Sequence, residues 1–580
     1  MTSTTTTGAG TAATQGEQRQ AGDPIVPRPD IRQAALRSIG KSGRSWWVIV
    51  TTLGVIVVAG VVAWIFQLRD GLGAAGYNDR AFWAVYEADL VAFIGVSYGG
   101  AVVSAILRLT KASWRAPLTR IAEATALVTL PIGMLFIIPH LGSPEKIWEL
   151  VWPPYWNLSS PILWDFFAVS TYLLATAVFF YLPLIPDVKV AISGDGVPPA
   201  CAGLRYRLIR WLYATVGRSW DGTTGQRRIL HGALGLVAIM IIPMAVSVHS
   251  VLSFAFSSSS RAGYLETILP VYFVIAALYT GVAIVIVAVV AFRRAYRLER
   301  WITKRHVVRL GFMMAALGAI YLYLTFTEYL IDGYSGTAGN AAWVHQIVAG
   351  RYWIPFWFYF VAAGVVPLLL IAIPRTRNVK GMTVASVLIL FAMWVKRLVI
   401  VVPAATEPLV RSAITHGGAV SSGVAPASQG SPALGIGGGV AWGTYHFTWI
   451  PIAITVAATA AIPLLLMILF KIFPVMSVTE LEEVAQLEGL EVDVDGVVRV
   501  LSGATSERPR AWRTGSGVPA ARSGPPLHGS GSGAGLKRGR SDKQLQPESS
   551  RAPAREGAGT LSSPDAGSGA GGTTIGGDGE

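Results

Sequence analysis

At 580 residues the chain is long enough for several soluble domains, yet 52% of it is hydrophobic and only 14% is charged. No soluble fold buries so much apolar surface behind so little charge, so the bilayer is its main solvent. The formal net charge of +14 does not point to nucleic acid, because most of the Lys and Arg residues sit in short loops between apolar runs, where such charges orient membrane proteins.

Residues 1–44 are polar and rich in Thr, Gly and Ala, without the short apolar stretch and small-residue cleavage site of a signal peptide. They read as a disordered cytoplasmic tail. Ten apolar runs follow in the transmembrane domain, residues 45–474. The first five run roughly from Trp46 to Phe66, Phe82 to Leu107, Leu118 to Pro139, Ile162 to Leu184 and Ile229 to Phe256. The second five run from Thr267 to Phe292, Val307 to Ile331, Ile354 to Ile373, Thr383 to Val402 and Trp449 to Phe473. Each matches the roughly 20 residues that cross a hydrocarbon core of about 30 Å. Pro131 and Pro243 fall inside two of them and predict kinks. Residues 475–503 have weak helix-then-strand character and read as a short cap on the cytoplasmic face. From 504 to 580, Gly, Ser, Pro and Arg dominate without apolar periodicity, which predicts a disordered cytoplasmic tail.

Alternate loops carry the basic residues. Arg108, Lys111, Arg115 and Arg120 fall in one, Arg205 to Arg228 in the next alternate one, then Arg293 to Arg305 and Arg375 to Lys380. The positive-inside rule places these, and both termini, on the cytoplasmic side of a bacterial inner (plasma) membrane. The intervening connections hold Trp152, Trp156, Trp343 and Trp353, expected at interfacial depth on the outer side. The outer connection from Thr406 to Gly443 is rich in Gly, Ser and Ala and reads as a flexible loop. A single cysteine, Cys201, excludes a disulfide framework and a Cys-ligated iron–sulfur cluster within the chain. No metal site is expected.

Ionisable groups inside a bilayer cost a few kcal/mol each and mark the places to look. On the outer half lie Glu87, His140, Asp165, His249, Glu328, Lys396 and Arg397, with Glu123 nearer the cytoplasmic end of its helix. His140 ends the third run and Asp165 opens the fourth, after an aromatic, Pro-rich connection, so a helical hairpin returns them to similar depth. A His and a carboxylate beneath aromatic walls suit a quinol headgroup, whose two hydroxyls each need a partner able to take a proton. The alternative is that both cap helix ends, Asp165 satisfying first-turn amides. Glu87, Glu123, His249, Glu328, Lys396 and Arg397 are candidates for a proton pathway; the competing expectations are snorkelling for Lys396 and Arg397 and a pairing with Arg120 for Glu123.

The stretches PHLGSPEKIWEL, SPILWDFFAVSTYLLATAVFFYLPLIPD, VSVHSVLSFAF, VLILFAMWVKRLVIVVP and YHFTWIPIAITVAATAAIPLLLMILFKIFPVMSVTE resemble the NrfD/PsrC family, the membrane subunits of polysulfide reductase-like enzymes. With ten spans, the chain looks most like the ActC or ActF subunits of alternative complex III. The resemblance implies an all-α integral membrane protein of two four-helix bundles plus two extra helices. It implies a quinol-binding subunit of a respiratory oxidoreductase complex, using menaquinone or ubiquinone as substrate, with no haem or iron–sulfur cluster of its own. Electrons would be exchanged with a periplasmic iron–sulfur subunit, with cytochrome c or molybdopterin subunits and a second NrfD-like subunit as further partners, and with proton translocation coupled. The His of the HLG motif and the Asp of the WD motif, here His140 and Asp165, would hold the quinol. The family often has Arg after HLG; here Ser143 stands there.

Two other functions compete. A b-type haem cytochrome needs two facing His; His231 and His249 share a helix with about 27 Å of rise between them, which leaves His140 with His249. A passive membrane anchor, or an ion or proton transporter subunit, would tolerate loss of His140 and Asp165.

Overall fold

The computed structural model describes residues 29–40, 42–79, 81–192, 204–259, 261–334, 338–406, 443–487, 490–492 and 498–500. Among them ten helices are long and apolar enough to cross a membrane. These are Arg44–Asp70, Val85–Leu109, Ser113–His140, Pro161–Ala191, Thr224–Ser257, Leu269–Ala295, Lys304–Tyr334, Trp353–Ala372, Val379–Thr406 and Trp449–Ile472, spans 1 to 10 in chain order. Each covers one of the apolar runs, and the chain is a multi-pass membrane protein. Helices form there because a backbone in hydrocarbon must satisfy its own hydrogen bonds.

Spans 2–5 close one four-helix bundle and spans 6–9 a second, and the two meet where span 2 packs on span 6. Spans 1 and 10 pair with each other outside, span 10 resting on spans 2 and 3. Burial follows this order. Nearly every residue of span 2 is buried, whereas span 1 buries only Gly60, Ala63 and Gln67 and turns Val48, Val55, Val58 and Ile65 outward. Side chains that lipid can solvate gain nothing by leaving it, so close contact must hold the helices together. Span 2 crosses span 6 at Gly99 and Gly281, where a Cβ on Gly99 would lie 1.8 Å from the Gly281 carbonyl carbon. Gly60 serves span 10 in the same way, 2.2 Å from the Ala457 Cβ.

Several features differ from the sequence expectations. Residues 29–39 belong to the stretch read as a tail, but Pro29–Leu36 is helical and buries Ile31, Ala34 and Ala35. The Ala35 carbonyl accepts the Val475 amide at 3.3 Å, and Lys471 donates to the Gly40 carbonyl at 3.1 Å, so this helix seals the chain end of span 10. Trp343 is buried in the protein and stacks on Tyr329 with centroids 5.6 Å apart. Span 8 contains a π-helical turn, Phe360–Val365, which no sequence pattern signals. There the Tyr279 hydroxyl of span 6 donates to the Ala363 carbonyl at 2.7 Å, the kind of extra bond a widened turn admits. Residues 1–28, Cys201, the connection 407–442 and the tail from 501 onward lie outside the described residues.

The segment after span 10 forms a helix, Val478–Leu487, followed by a short antiparallel hairpin, Leu490–Val492 with Val498–Val500. The helix packs on the starting helix and on spans 3 and 4, as a cap. Glu480 binds Arg108, accepts from Arg115 at 2.7 Å and accepts from the Thr119 hydroxyl at 3.2 Å. Burial opposes its charge, but Arg108 and Arg115 outweigh burial and hold the carboxyl at about 2. A carboxyl with a depressed folded-state value stabilises the folded form above its unfolded value and loses that contribution as pH falls toward the folded one. The cap therefore stays docked from pH 7 to about 4.5 and loosens between there and about 2. Glu480→Gln should expose the 475–487 segment to limited proteolysis already at pH 7, while the unchanged protein resists down to about pH 4.5.

Candidate functional site

At the end of span 3 the helix breaks after Leu135 and resumes as the single turn Ile137–His140. Gly142 then adopts a left-handed conformation, φ 70°, with its α-carbon face against Leu72, which explains the glycine of HLG. The turn is held by span 1. Gln67, buried in an otherwise lipid-facing helix, donates to the Pro139 carbonyl at 2.7 Å and accepts from the Tyr86 hydroxyl. Tyr77 stacks on Tyr86 with centroids 5.5 Å apart and meets the edge of His140 at 6.3 Å. Its own hydroxyl accepts the Tyr86 amide at 3.1 Å. An aromatic wall thus fixes the imidazole.

His140 Nε2 lies 3.7 Å from Glu87 Oε2, and Glu87 also lies within electrostatic reach of Asp165. Glu87 is therefore close to both residues expected to form the site. Asp165 is buried. Its helix, Pro161–Tyr181, starts with no side-chain cap bond, and among the described residues Asp165 Oδ1 has no partner. His140 Nδ1 is likewise buried without one. Buried polar atoms left unpaired are costly, and here two of them, one able to accept a proton as imidazole and one as carboxylate, lie close to a second carboxyl, that of Glu87.

Two residues along from Glu87, Asp89 points to the opposite side of span 2. It accepts from Trp394 Nε1 at 2.6 Å and from the Thr455 hydroxyl at 2.5 Å, fastening spans 9 and 10 to span 2. Sequence reasoning passed over Asp89, Gln67 and Tyr77. A single amide or acid in an apolar run was the available signal for the first two.

The second cluster lies within the second bundle. Lys396, expected to snorkel, is buried; its ammonium binds both Glu328 oxygens, at 2.8 and 3.2 Å, and donates to the Tyr329 hydroxyl at 3.1 Å. The rings of Tyr272, Tyr329 and Tyr359 surround it at 4.9–5.0 Å. A lone buried ion pair costs more desolvation than it returns unless other groups help, and the three rings supply that help. Glu266 and Asp332, also missed from sequence, lie beside Glu328. Burial, with Glu328 and Asp332 close by, pushes the Glu266 carboxyl well above the usual carboxylate range. Asp332 accepts from Asn340 at 2.9 Å.

Arg397 does not snorkel either. It turns to span 2, donating to the Met393 carbonyl at 2.8 Å and, at 3.4 Å, to the Thr280 hydroxyl, and among the described residues it forms no ion pair. It shares the surface of Gly95 with His249, whose two ring nitrogens are buried without a partner. A cavity of about 10 Å³, the space of about one water, is lined by His249, Lys396, Arg397 and Tyr272. Glu123 does not pair with Arg120: it accepts from the Ser104 hydroxyl at 2.6 Å, while Arg120 binds Asp187 at 2.7 Å. His140 packs by Glu87 and His249 by Gly95, eight residues or about 12 Å further along span 2, so the two imidazoles do not face each other as a haem pair would.

A family model described as polysulphide reductase, NrfD, matches residues 73–408. The chain belongs to the NrfD family. The matched stretch holds spans 2–9, the two bundles, and leaves out spans 1 and 10. A putative membrane subunit of a dimethyl sulfoxide reductase from Halobacterium salinarum is 27% identical over 62% of this chain and 77% of its own length. A selenate reductase subunit from Mesobacillus selenatarsenatis is 24% identical over 62% and 82%, and an Hdr-like menaquinol oxidoreductase integral membrane subunit from Archaeoglobus fulgidus 20% over 63% and 80%. This NrfD-family chain is therefore similar to membrane subunits of reductase complexes.

The Lys396–Glu328 pair gives a stability test. Lys396→Met leaves a buried carboxylate without its partner and should cost about 3–5 kcal/mol, read as a lower unfolding temperature in lipid nanodiscs. Lys396→Met combined with Glu328→Gln should recover most of the loss.

Proposed function

We propose that this chain is the quinol-binding integral membrane subunit of a respiratory oxidoreductase complex, and that His140 and Asp165 take the protons of the quinol hydroxyls. The observation that carries the reading is the pair of buried acceptors without a partner among the described residues, His140 Nδ1 and Asp165 Oδ1, both close to Glu87, with the Tyr77 ring against His140. When a quinol becomes a quinone it gives up two electrons and two protons. One hydroxyl proton passes to the His140 imidazole and the other to the Asp165 carboxylate. Glu87, 3.7 Å from His140, receives the first proton and frees the imidazole for another turnover.

The two electrons leave to an iron–sulfur centre on a partner protein that docks at the His140 end of the bundle, the periplasmic end by the distribution of Arg and Lys. The relatives' names, which place them in reductase complexes, support partners of that kind. Two spans beyond the eight in the matched stretch support the likeness to the ActC and ActF subunits of alternative complex III. With both variants assembled at normal yield, His140→Ala and Asp165→Asn should each lower quinol turnover by about 10²-fold or more. Normal turnover in both would leave the chain an anchor.

Proton translocation is the second part of the proposal, and the buried run of His249, Arg397, Lys396 and Glu328 along the one-water cavity supports it. Glu328→Gln, which keeps a hydrogen-bonding group for Lys396, should leave quinol turnover in detergent nearly unchanged. In liposomes it should abolish the protons moved across the membrane per electron.

A further inference from the structure

The end of the bundle opposite His140 carries a cavity of about 240 Å³ that the quinol reading does not use. It lies between spans 4 and 5 and the cap helix. Its polar side is formed by Arg108, Lys189, Arg227 and His231, with the Trp220 indole at its rim, and its apolar side by Leu230, Leu234 and Val190. Asp221 and Glu480 also line it. Arg108, Lys189 and Arg227 set three cations against these two carboxylates around the opening, and Glu480 is answered by Arg115 as well as Arg108. Span 5, which supplies Leu230 and Leu234, is among the most lipid-exposed of the ten: Leu236, Ile239 and Met240 face outward.

We propose that this cavity binds the phosphate headgroup of an anionic phospholipid, with the acyl chains lying along the apolar face of span 5. Three features choose this ligand over a soluble one. The cavity is smaller than the roughly 300–1,000 Å³ of sites that engulf a whole small molecule, which suits a headgroup whose remainder stays outside. Its wall is basic on one side and apolar on the other, the pattern of basic pockets between membrane helices. It also sits at the end of the helices, beside an indole, at the depth of lipid headgroups. Arg227 is placed for this by its helix start: the Thr223 hydroxyl accepts the Gln226 amide at 3.3 Å, and the Arg227 carbonyl lies 2.8 Å from His231 Nδ1. A bound lipid would tie spans 4 and 5 to the cap through Arg108. This headgroup site does not depend on the quinol site.

The test is native mass spectrometry of the purified full chain with its complex, released from nanodiscs of phosphatidylcholine containing a minor fraction of phosphatidylglycerol. The unchanged protein should retain phosphatidylglycerol in preference to phosphatidylcholine. Lys189→Gln and Arg227→Gln should each weaken that retention about fivefold, while Arg300→Gln, away from the cavity, should leave it unchanged. Should a variant fail to assemble, thermal unfolding of the unchanged protein decides: added phosphatidylglycerol should raise its unfolding temperature and added phosphatidylcholine should not. Equal retention of the two lipids, or stabilisation by inorganic phosphate in purely neutral nanodiscs, would overturn the lipid assignment.

Discussion

A charge inside a bilayer has no water to turn to, and the core of this protein is organised by how span 2 and its neighbours answer that constraint. Span 2 is buried along nearly its whole length and presents a different partner on each face: Glu87 to His140, Asp89 to Trp394 and Thr455, Gly95 to His249 and Arg397, Gly99 to Gly281, Ser104 to Glu123, and Arg108 to Glu480. Polar contacts fix the register of the helices around it, and glycines set how closely they approach. Lipid-facing spans 1 and 10 are then free to be apolar, apart from single groups such as Gln67 that reach inward to shape the site.

The two charged clusters each combine paired groups with buried polar atoms that have no partner among the described residues. Lys396 has two carboxylate oxygens, a hydroxyl and three aromatic rings, so the pair with Glu328 is well compensated. Beside that pair, the Glu266 carboxyl and the His249 imidazole have atoms without a partner among the described residues, as do His140 and Asp165, which stand with Glu87 in the first cluster. Buried polar atoms left unpaired are uncommon, and under the proposed function the two hydroxyls of a quinol would answer those of His140 and Asp165.

The number and places of the spans were legible in the sequence because a run of apolar residues long enough to cross a bilayer has few other uses. His140 and Asp165 could be singled out because they flank one hairpin. Asp89 and Gln67 escaped, although each is one polar residue in an apolar run, because nothing in a sequence says which face of a helix is lipid and which is protein. Snorkelling, the competing expectation for Lys396 and Arg397, is not what they do: they lie about 100° apart around the helix axis and each is buried in its own surroundings. The helix Pro29–Leu36 was hidden in a polar stretch because the bonds that hold it and the turn after it, from the Val475 amide to the Ala35 carbonyl and from the Ser38 hydroxyl to the Phe473 carbonyl, join residues more than 400 positions apart.

The most direct measurement of the central claim is photo-crosslinking of the intact complex with an azido-quinone, followed by peptide mapping. Label confined to the turn around His140 and the first turns of span 4 around Asp165, and displaced by excess quinol, is the result expected. Label spread over lipid-facing residues such as those of span 1, or undiminished by quinol, would contradict a quinol site at His140 and Asp165.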